Sequence, residues 1–249
     1  FKIIVPFYNV ESWIKRTARS VKAQDYDDFE CIMINDMSTD NTSDILFQEV
    51  GKDPRFTIID NKVKKYVLRN ICAAIELSNP DDENIIVMLD GDDWFARKDV
   101  LTILNKIYEE KECLLTYGSY VEYPSAIKGK FAREVPHHIV DNNLFRESEW
   151  MTSHLRTWKY KLWKNIDQER SFTEPAATQE NNHFANCWDL AYMFPLLELA
   201  GKRGSYIPDV LYVYNRQNPL NVDKLDNNLQ LYMEQKIRNM EKYQPLDNI

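Results

Sequence analysis

Short, continuous apolar runs alternate with stretches of helical spacing through the first half of the chain. Lys2–Val5 reads as a first strand stopped by Pro6. Glu11–Ala23 reads as a helix with Trp13, Ile14, Ala18 and Val21 as its apolar positions and Asn9 as candidate N-cap. Glu30–Ile34 and Phe56–Ile59 are predicted as further strands, each followed by a helix, over Asn41–Val50 and Tyr66–Leu77. Ile85–Leu89 is apolar at every position, as expected of a strand covered on both faces. A helix over Val100–Tyr108 and a fifth strand over Leu114–Tyr117 follow. This alternation predicts an α/β fold with βαβ units and a mostly parallel sheet flanked by helices.

After about residue 120 the pattern changes. Pro124 to His138 is polar and irregular, Glu147–Leu162 has helical spacing, and a loop rich in Glu, Asn and Thr runs through Asn182. Cys187–Ala200 reads as a strongly amphipathic helix closed by Gly201. Tyr206–Tyr214 alternates as a short strand, and Leu225–Tyr243 reads as a final amphipathic helix packed on the outside or on a partner. Residues 1–120 and 121–249 thus form two halves of one domain-sized unit. No internal repeat or low-complexity tract interrupts them.

A chain of 249 residues with 44% hydrophobic and 28% charged residues suffices for one sizeable core. The net charge of −8 argues against a broad nucleic-acid footprint, although Lys62-Val63-Lys64-Lys65 is locally basic. The four cysteines lie far apart without metal-ligand spacing and read as reduced thiols, which points to the cytoplasm. No apolar run in this sequence is long enough to span a bilayer and no signal-peptide pattern is present, while the final amphipathic helix allows peripheral membrane contact. Phe1 begins a strand directly, which reads as a trimmed or excised domain. Neither GxGxxG nor GxxxxGK[ST] occurs, which argues against a conventional dinucleotide fold and a P-loop NTPase.

The candidate chemistry gathers at predicted strand C-termini, where open α/β sheets bind ligands. Asp90-Gly91-Asp92-Asp93 follows the fourth strand. Carboxylates that close repel unless a cation neutralises them, and Mg²⁺ or Mn²⁺ prefers oxygen ligands while leaving positions open for phosphate. The alternative is an acidic turn that caps the next helix, with Gly91 supplying the bend. Pro6-Phe7-Tyr8-Asn9 follows the first strand, Asn35-Asp36-Met37-Ser38-Thr39-Asp40-Asn41-Thr42 the second, and Arg69-Asn70 lies on the helix after the third. Asp36 could accept hydrogen bonds from a base or ribose, and Arg69 could face a phosphate. Each element also fits an ordinary turn, cap or surface ion pair.

In order and spacing, these four elements resemble the signature series of family 2 glycosyltransferases. The resemblance covers roughly residues 1–120. It implies the GT-A fold, a Rossmann-like nucleotide-sugar half joined to an acceptor half as a C-terminal extension. It further implies that Pro6, Tyr8 and Asp36 line the base and ribose pocket. Asn9 and Arg69 belong to the same donor-binding series. Asp90 and Asp92 correspond to the family's DxD pair, with Asp92 as direct ligand of Mn²⁺ or Mg²⁺ and Asp93 in support. Asn35 and Met37 depart from the usual Asp-Asp-Gly-Ser motif, and Val63 to Leu68 lacks the usual glycine, with Leu68 in place of an alanine.

The second half carries His154-Leu155-Arg156-Thr157-Trp158-Lys159 and Trp188-Asp189-Leu190-Ala191, which resemble two elements of a subgroup of the family. The acidic pair common at the start of the latter helix is missing. The resemblance therefore implies Asp189 as general base, with Glu180 as runner-up; Asp189 also fits an N-cap or first-turn carboxylate favoured by the helix dipole. His154 is a candidate metal ligand, and Arg156 and Lys159 are candidate diphosphate contacts. Trp188 is a candidate for sugar stacking, ahead of Trp158 and Trp163, although tryptophans at this helical spacing are more often core.

The expected activity is metal-assisted, inverting transfer of a sugar from a nucleotide-diphosphate sugar, a UDP-hexose by resemblance. The acceptor would be a glycan, a lipid-linked saccharide or a protein side chain. A catalytically degenerate glycan- or nucleotide-binding module is the main alternative. A sugar nucleotidyltransferase is a further one, though the expected glycine-rich loop and activating Arg or Lys are absent after the first strand.

Overall fold

The computed structural model describes residues 1–173, 184, 186–221 and 227–246. In chain order the elements are β1 (Lys2–Phe7), α1 (Ile14–Lys22), β2 (Glu30–Asn35), α2 (Thr42–Val50), β3 (Phe56–Asp60), α3 (Val67–Leu77), β4 (Ile85–Met88), β5 (Trp94–Phe95) and α4 (Val100–Lys111). There follow β6 (Leu115–Tyr123), α5 (His137–Asp141), β7 (Arg156–Lys159), α6 (Tyr160–Trp163), α7 (Gln168–Phe172), α8 (Trp188–Ala200), β8 (Gly204–Asn215) and α9 (Asn227–Arg238).

One eight-stranded sheet runs in the order β3-β2-β1-β4-β7-β6-β8-β5. The pairs among β1 to β4 are parallel, as expected of βαβ units. Beyond β4 the sheet becomes mixed, because β7 runs antiparallel to both β4 and β6, while β6 and β8 are parallel. Side chains alternate across the sheet with period two. Ile3, Val5, Cys31 and Met33 pack with α1, α2 and α4 on one face. Ile4, Ile32 and Ile34 pack with α3, α6, α7 and α8 on the other.

Three differences from the sequence reading matter for the site. Pro6 does not stop β1, which continues to Phe7. Pairing of β1 with β4 ends at Ile4↔Met88, so the missing Pro6 N–H faces a position where no ladder bond is needed. Residues 147–162 do not form a helix, since Arg156–Lys159 is a central strand. The hydroxyl of Thr157 lies 2.8 Å from that of Tyr108 and 2.6 Å from that of Thr116, which lets a polar residue sit in the core. Nor is α8 amphipathic: Leu190 to Ala200 are all buried, between the sheet and neighbouring helices.

One buried carboxylate ties the C-terminal segment to the core. The buried Glu198 carboxylate on α8 accepts from Arg146 Nε at 2.5 Å and from the Tyr243 backbone N–H at 3.0 Å. Helix α9 packs on α8 through Met233 and Ile237, leaving Leu229, Leu231 and Tyr232 exposed.

Candidate functional site

A cleft of about 460 Å³ opens where the C-terminal ends of β1, β2 and β4 meet the start of α8 and the end of β8. One wall is built from the β1 and β2 exit loops. Asp36 is buried and lines the cleft, and its carboxylate accepts backbone N–H bonds from Lys65 at 2.7 Å and Tyr66 at 3.0 Å. It therefore fixes the loop that follows β3. That loop carries Lys64, whose Nζ lies 3.3 Å from the centre of the Tyr8 ring.

Asn35, in the place of a usual aspartate, accepts from the Ser38 N–H at 2.8 Å and donates to Ser43 and Asp60 at 2.7 Å each. Met37 has φ 65°, the left-handed region where a glycine is unstrained, so the unusual residue keeps the turn at some steric cost.

Pro6 and Tyr8 line the cleft as expected, but Asn9 does not. Asn9 neither caps α1 nor faces the cavity. Its N–H donates to Ser38 Oγ at 2.9 Å and its Oδ1 accepts from the Thr39 N–H at 2.8 Å, which ties the two exit loops together. Arg69 is exposed on α3 and outside the cleft lining, whereas its neighbour Asn70 is buried and lines it. The Asn70 Oδ1 accepts from Asn61 at 2.7 Å, and its Nδ2 has no hydrogen-bond partner among the described residues. An orphaned buried donor at a cavity wall suits a ligand acceptor atom.

At the cleft floor lies the turn after β4. Gly91 is required by close approach, because a Cβ there would collide with Phe7. The turn leads into β5, and α4 has no side-chain cap, so helix capping does not account for its carboxylates. Asp90 and Asp92 line the cleft. Asp92 Oδ2 accepts from Asn218 Nδ2 at 2.8 Å. Asp93 is fully buried, accepting from the Tyr212 hydroxyl at 2.6 Å and the Asn215 N–H at 2.7 Å.

Asp90, Asp93 and His154 offer ligand atoms within 4.8 Å of one another, a group that does not include Asp92. Both Asp93 oxygens are already engaged, so its chemistry is that of a support. Burial raises the Asp90 pKa to about 7; Arg156 opposes the rise, and the charges of Asp92 and Asp189 add to it. Burial, followed by Asp92 and Asp90, lifts Asp93 well above the usual carboxylate range. Such crowded carboxylates suit a divalent cation.

The opposite wall comes from β7 and α8. Arg156 is buried, donating to the Tyr192 hydroxyl at 2.8 Å and to Asp189 Oδ2 at 3.2 Å. Its Nη2 also lies 3.3 Å from His154 Nε2, and since a guanidinium can only donate, that nitrogen is the acceptor. Burial and the Arg156 charge hold the imidazole well below its ordinary pKa, as the neutral form, whose Nε2 would exchange the Arg156 bond for a metal on ligation. Asp189 stands in the first turn of α8 beside Trp188, and both line the cleft.

Trp158 and Trp163 are core residues. Lys159 pairs with Glu83 at 2.6 Å, at the opposite end of β4 from Asp90, and does not line the cleft. Glu180, the alternative base, lies outside the described residues. Burial pushes the cleft-lining Cys187 thiol up to about 12, which leaves no thiolate nucleophile.

The sequence reading missed Lys64, Asn70, Tyr192, Tyr212 and Asn218. Only the Lys62–Lys65 basic cluster and the Arg69-Asn70 element gave any signal. A lone Tyr or Asn in a strand or loop carries none.

The model of the family described as glycosyl transferase family 2 matches residues 2–173. The chain is 27% identical over 198 residues to glycosyltransferase GlyA of Streptococcus pneumoniae serotype 4, covering 79% of this chain but only 25% of GlyA, so it spans a quarter of that relative. S. aureus TarS 1–349 in complex with UDP-GlcNAc superposes with a TM-score of 0.68 at 18% identity, over 98% of this chain and 68% of that one. A mannosyltransferase from Pyrobaculum calidifontis in complex with GDP-Man and Mn²⁺ gives 0.55 at 18% identity, over 89% and 57%. At these identities the two superpositions express a shared fold.

Proposed function

Because the chain belongs to glycosyl transferase family 2 and has the GT-A fold, we propose that it transfers a sugar from a nucleotide-diphosphate sugar, a UDP-hexose, to an acceptor hydroxyl with inversion. The observation that carries this reading is a single cleft lined by the base-sized wall at Tyr8, Asp36 and Asn70, the acidic turn at Asp90 and Asp92, and the Asp189 carboxylate. The first wall takes the nucleoside, with the orphaned Asn70 amide donating to an acceptor atom of the base. Lys64 and Arg156 line the cleft and face the diphosphate.

Asp90, Asp92 and His154 would hold a Mn²⁺ or Mg²⁺ ion, while Asp93 keeps its supporting role. When bound, that ion neutralises charge on the departing nucleoside diphosphate. Asp189, oriented by Arg156, takes the proton of the acceptor hydroxyl as that oxygen attacks the anomeric carbon and the sugar–phosphate bond breaks. Attack from the face opposite the leaving group inverts the configuration. Trp188 offers a ring for the acceptor sugar.

The acceptor classes that fit are a glycan, a lipid-linked saccharide and a protein side chain. No helix among the described residues is long and apolar enough to cross a membrane. The four free cysteines fit the cytoplasm.

A thermal-shift series of nucleotide sugars, each with and without Mn²⁺, tests the reading. A ligand that binds only the native state raises the melting temperature as RT ln(1 + [L]/Kd). A UDP-sugar whose shift needs Mn²⁺ is expected, and no shift with any nucleotide sugar would overturn the reading.

A further inference from the structure

Tyr212, on β8, belongs to neither the acidic turn nor the α8 wall, yet it touches three of the residues on which the floor of the cleft depends. Its hydroxyl donates to Asp93 Oδ2 at 2.6 Å and accepts the Asp90 backbone N–H at 3.2 Å. Its ring lies against the His154 imidazole, with centroids 4.4 Å apart and planes within 8°. The side chain is fully buried.

A phenol has one proton to give. With that proton committed to Asp93, the oxygen is left as an acceptor for the N–H of Asp90, so one atom sets the spacing between the two ends of the turn. The next residues of the same strand complete the brace. Asn215 N–H holds the other Asp93 oxygen at 2.7 Å, and Tyr214 stacks on His154 at 5.4 Å.

The turn is thus held from across the sheet by a strand remote in sequence. We propose that Tyr212 is a positioning residue that sets the divalent-cation affinity of the Asp90–Asp93 turn and His154, its hydroxyl aligning the turn and its ring fixing the imidazole plane. The inference rests on the reading of that cluster as the cation site. Groups that orient metal ligands without touching the metal typically change affinity by about 10–100-fold when removed.

The test is Mn²⁺ binding to the full chain in the presence of UDP, followed by electron paramagnetic resonance of the free ion, for wild type, Tyr212→Phe and Tyr206→Phe. Y212F keeps the ring and its packing and removes one oxygen. Y206F makes the same deletion on the same strand, where the hydroxyl meets Ser119 at 2.8 Å, away from the turn. The melting temperature of each metal-free protein reports folding independently.

Y212F is expected to weaken Mn²⁺ binding about 10–100-fold, with Y206F unchanged and both proteins folded. Equal Mn²⁺ affinity in Y212F and wild type would overturn the proposal. So would equal weakening in both variants, since that would reflect general loosening of β8. Wild-type protein that binds no Mn²⁺ would instead overturn the cation-site reading itself, which separates the two failures.

Discussion

The two walls of the cleft are held by different means. On the β1–β2 side, backbone groups do the work: the Asp36 carboxylate takes two loop N–H groups, Asn9 ties the two exit loops together, and Asn35 closes its own turn onto the Ser38 N–H. On the β7–α8 side, buried side chains hold one another, with Arg156 touching Tyr192, Asp189 and His154. A wall of the first kind depends on a few short polar motifs contiguous in sequence. One of the second kind depends on residues far apart in the chain, and each loses its partner if any one changes. Damage to the first wall should therefore appear in donor binding alone, and damage to the second also in chemistry and stability.

The largest effect is expected from Asp189→Asn. A general base contributes about 10²–10⁴-fold, so kcat should fall by that factor while donor affinity, measured by calorimetry, stays close to wild type. A loss confined to donor binding would place Asp189 on the wrong side of the comparison. Next comes Glu198→Ala, which strands the buried Arg146 guanidinium and should cost about 3–5 kcal/mol in urea unfolding. A cost below about 1 kcal/mol, the value of an exposed pair, would show that the second half does not rest on its buried ion pair.

A smaller loss is expected for Asp36→Ala, which removes two charge-assisted bonds to the loop. At about 1.5–3 kcal/mol, donor Kd should rise roughly 10–100-fold with kcat at saturation little changed. A fall in kcat alone would blur the distinction between the walls. The smallest effect is expected from Lys64→Ala. An exposed cation–π contact is worth about 0.5–1 kcal/mol, so a few-fold rise in donor Kd is expected, and an acceptor-specific change would reassign the residue.

The same contrast explains what the sequence made legible. Strands β1 to β4 announce themselves as continuous apolar runs because both sheet faces are covered. The polar elements at their ends are short and ordered, so Pro6, Tyr8, Asp36, Asp90 and Asp92 could be singled out from sequence, and all line the cleft. The neighbouring choice of Arg69 over Asn70 illustrates the limit, since charge attracts attention while burial, which decides, is invisible in one sequence.

In the second half, Arg156-Thr157-Trp158-Lys159 offers no strand signal. Two cationic residues flank a buried Thr and Trp in four residues, and helical spacing fits the surrounding window equally well. Leu190 to Leu197 is apolar at every position, and the amphipathic reading gave α8 one buried face where the fold buries every face, because α8 lies under other helices as well as on the sheet. Tyr212 and Tyr192 matter through partners more than 30 residues away, and no local pattern encodes such a partner.

The central claim is that the cleft performs metal-assisted release of a nucleoside diphosphate from a sugar donor. Its most direct measurement is the release of UDP from UDP-hexoses, with and without Mn²⁺, by the wild-type protein and by Asp92→Asn. The account predicts release that requires Mn²⁺ and is lost in D92N. Release that proceeds equally without metal, or is unchanged in D92N, would contradict it.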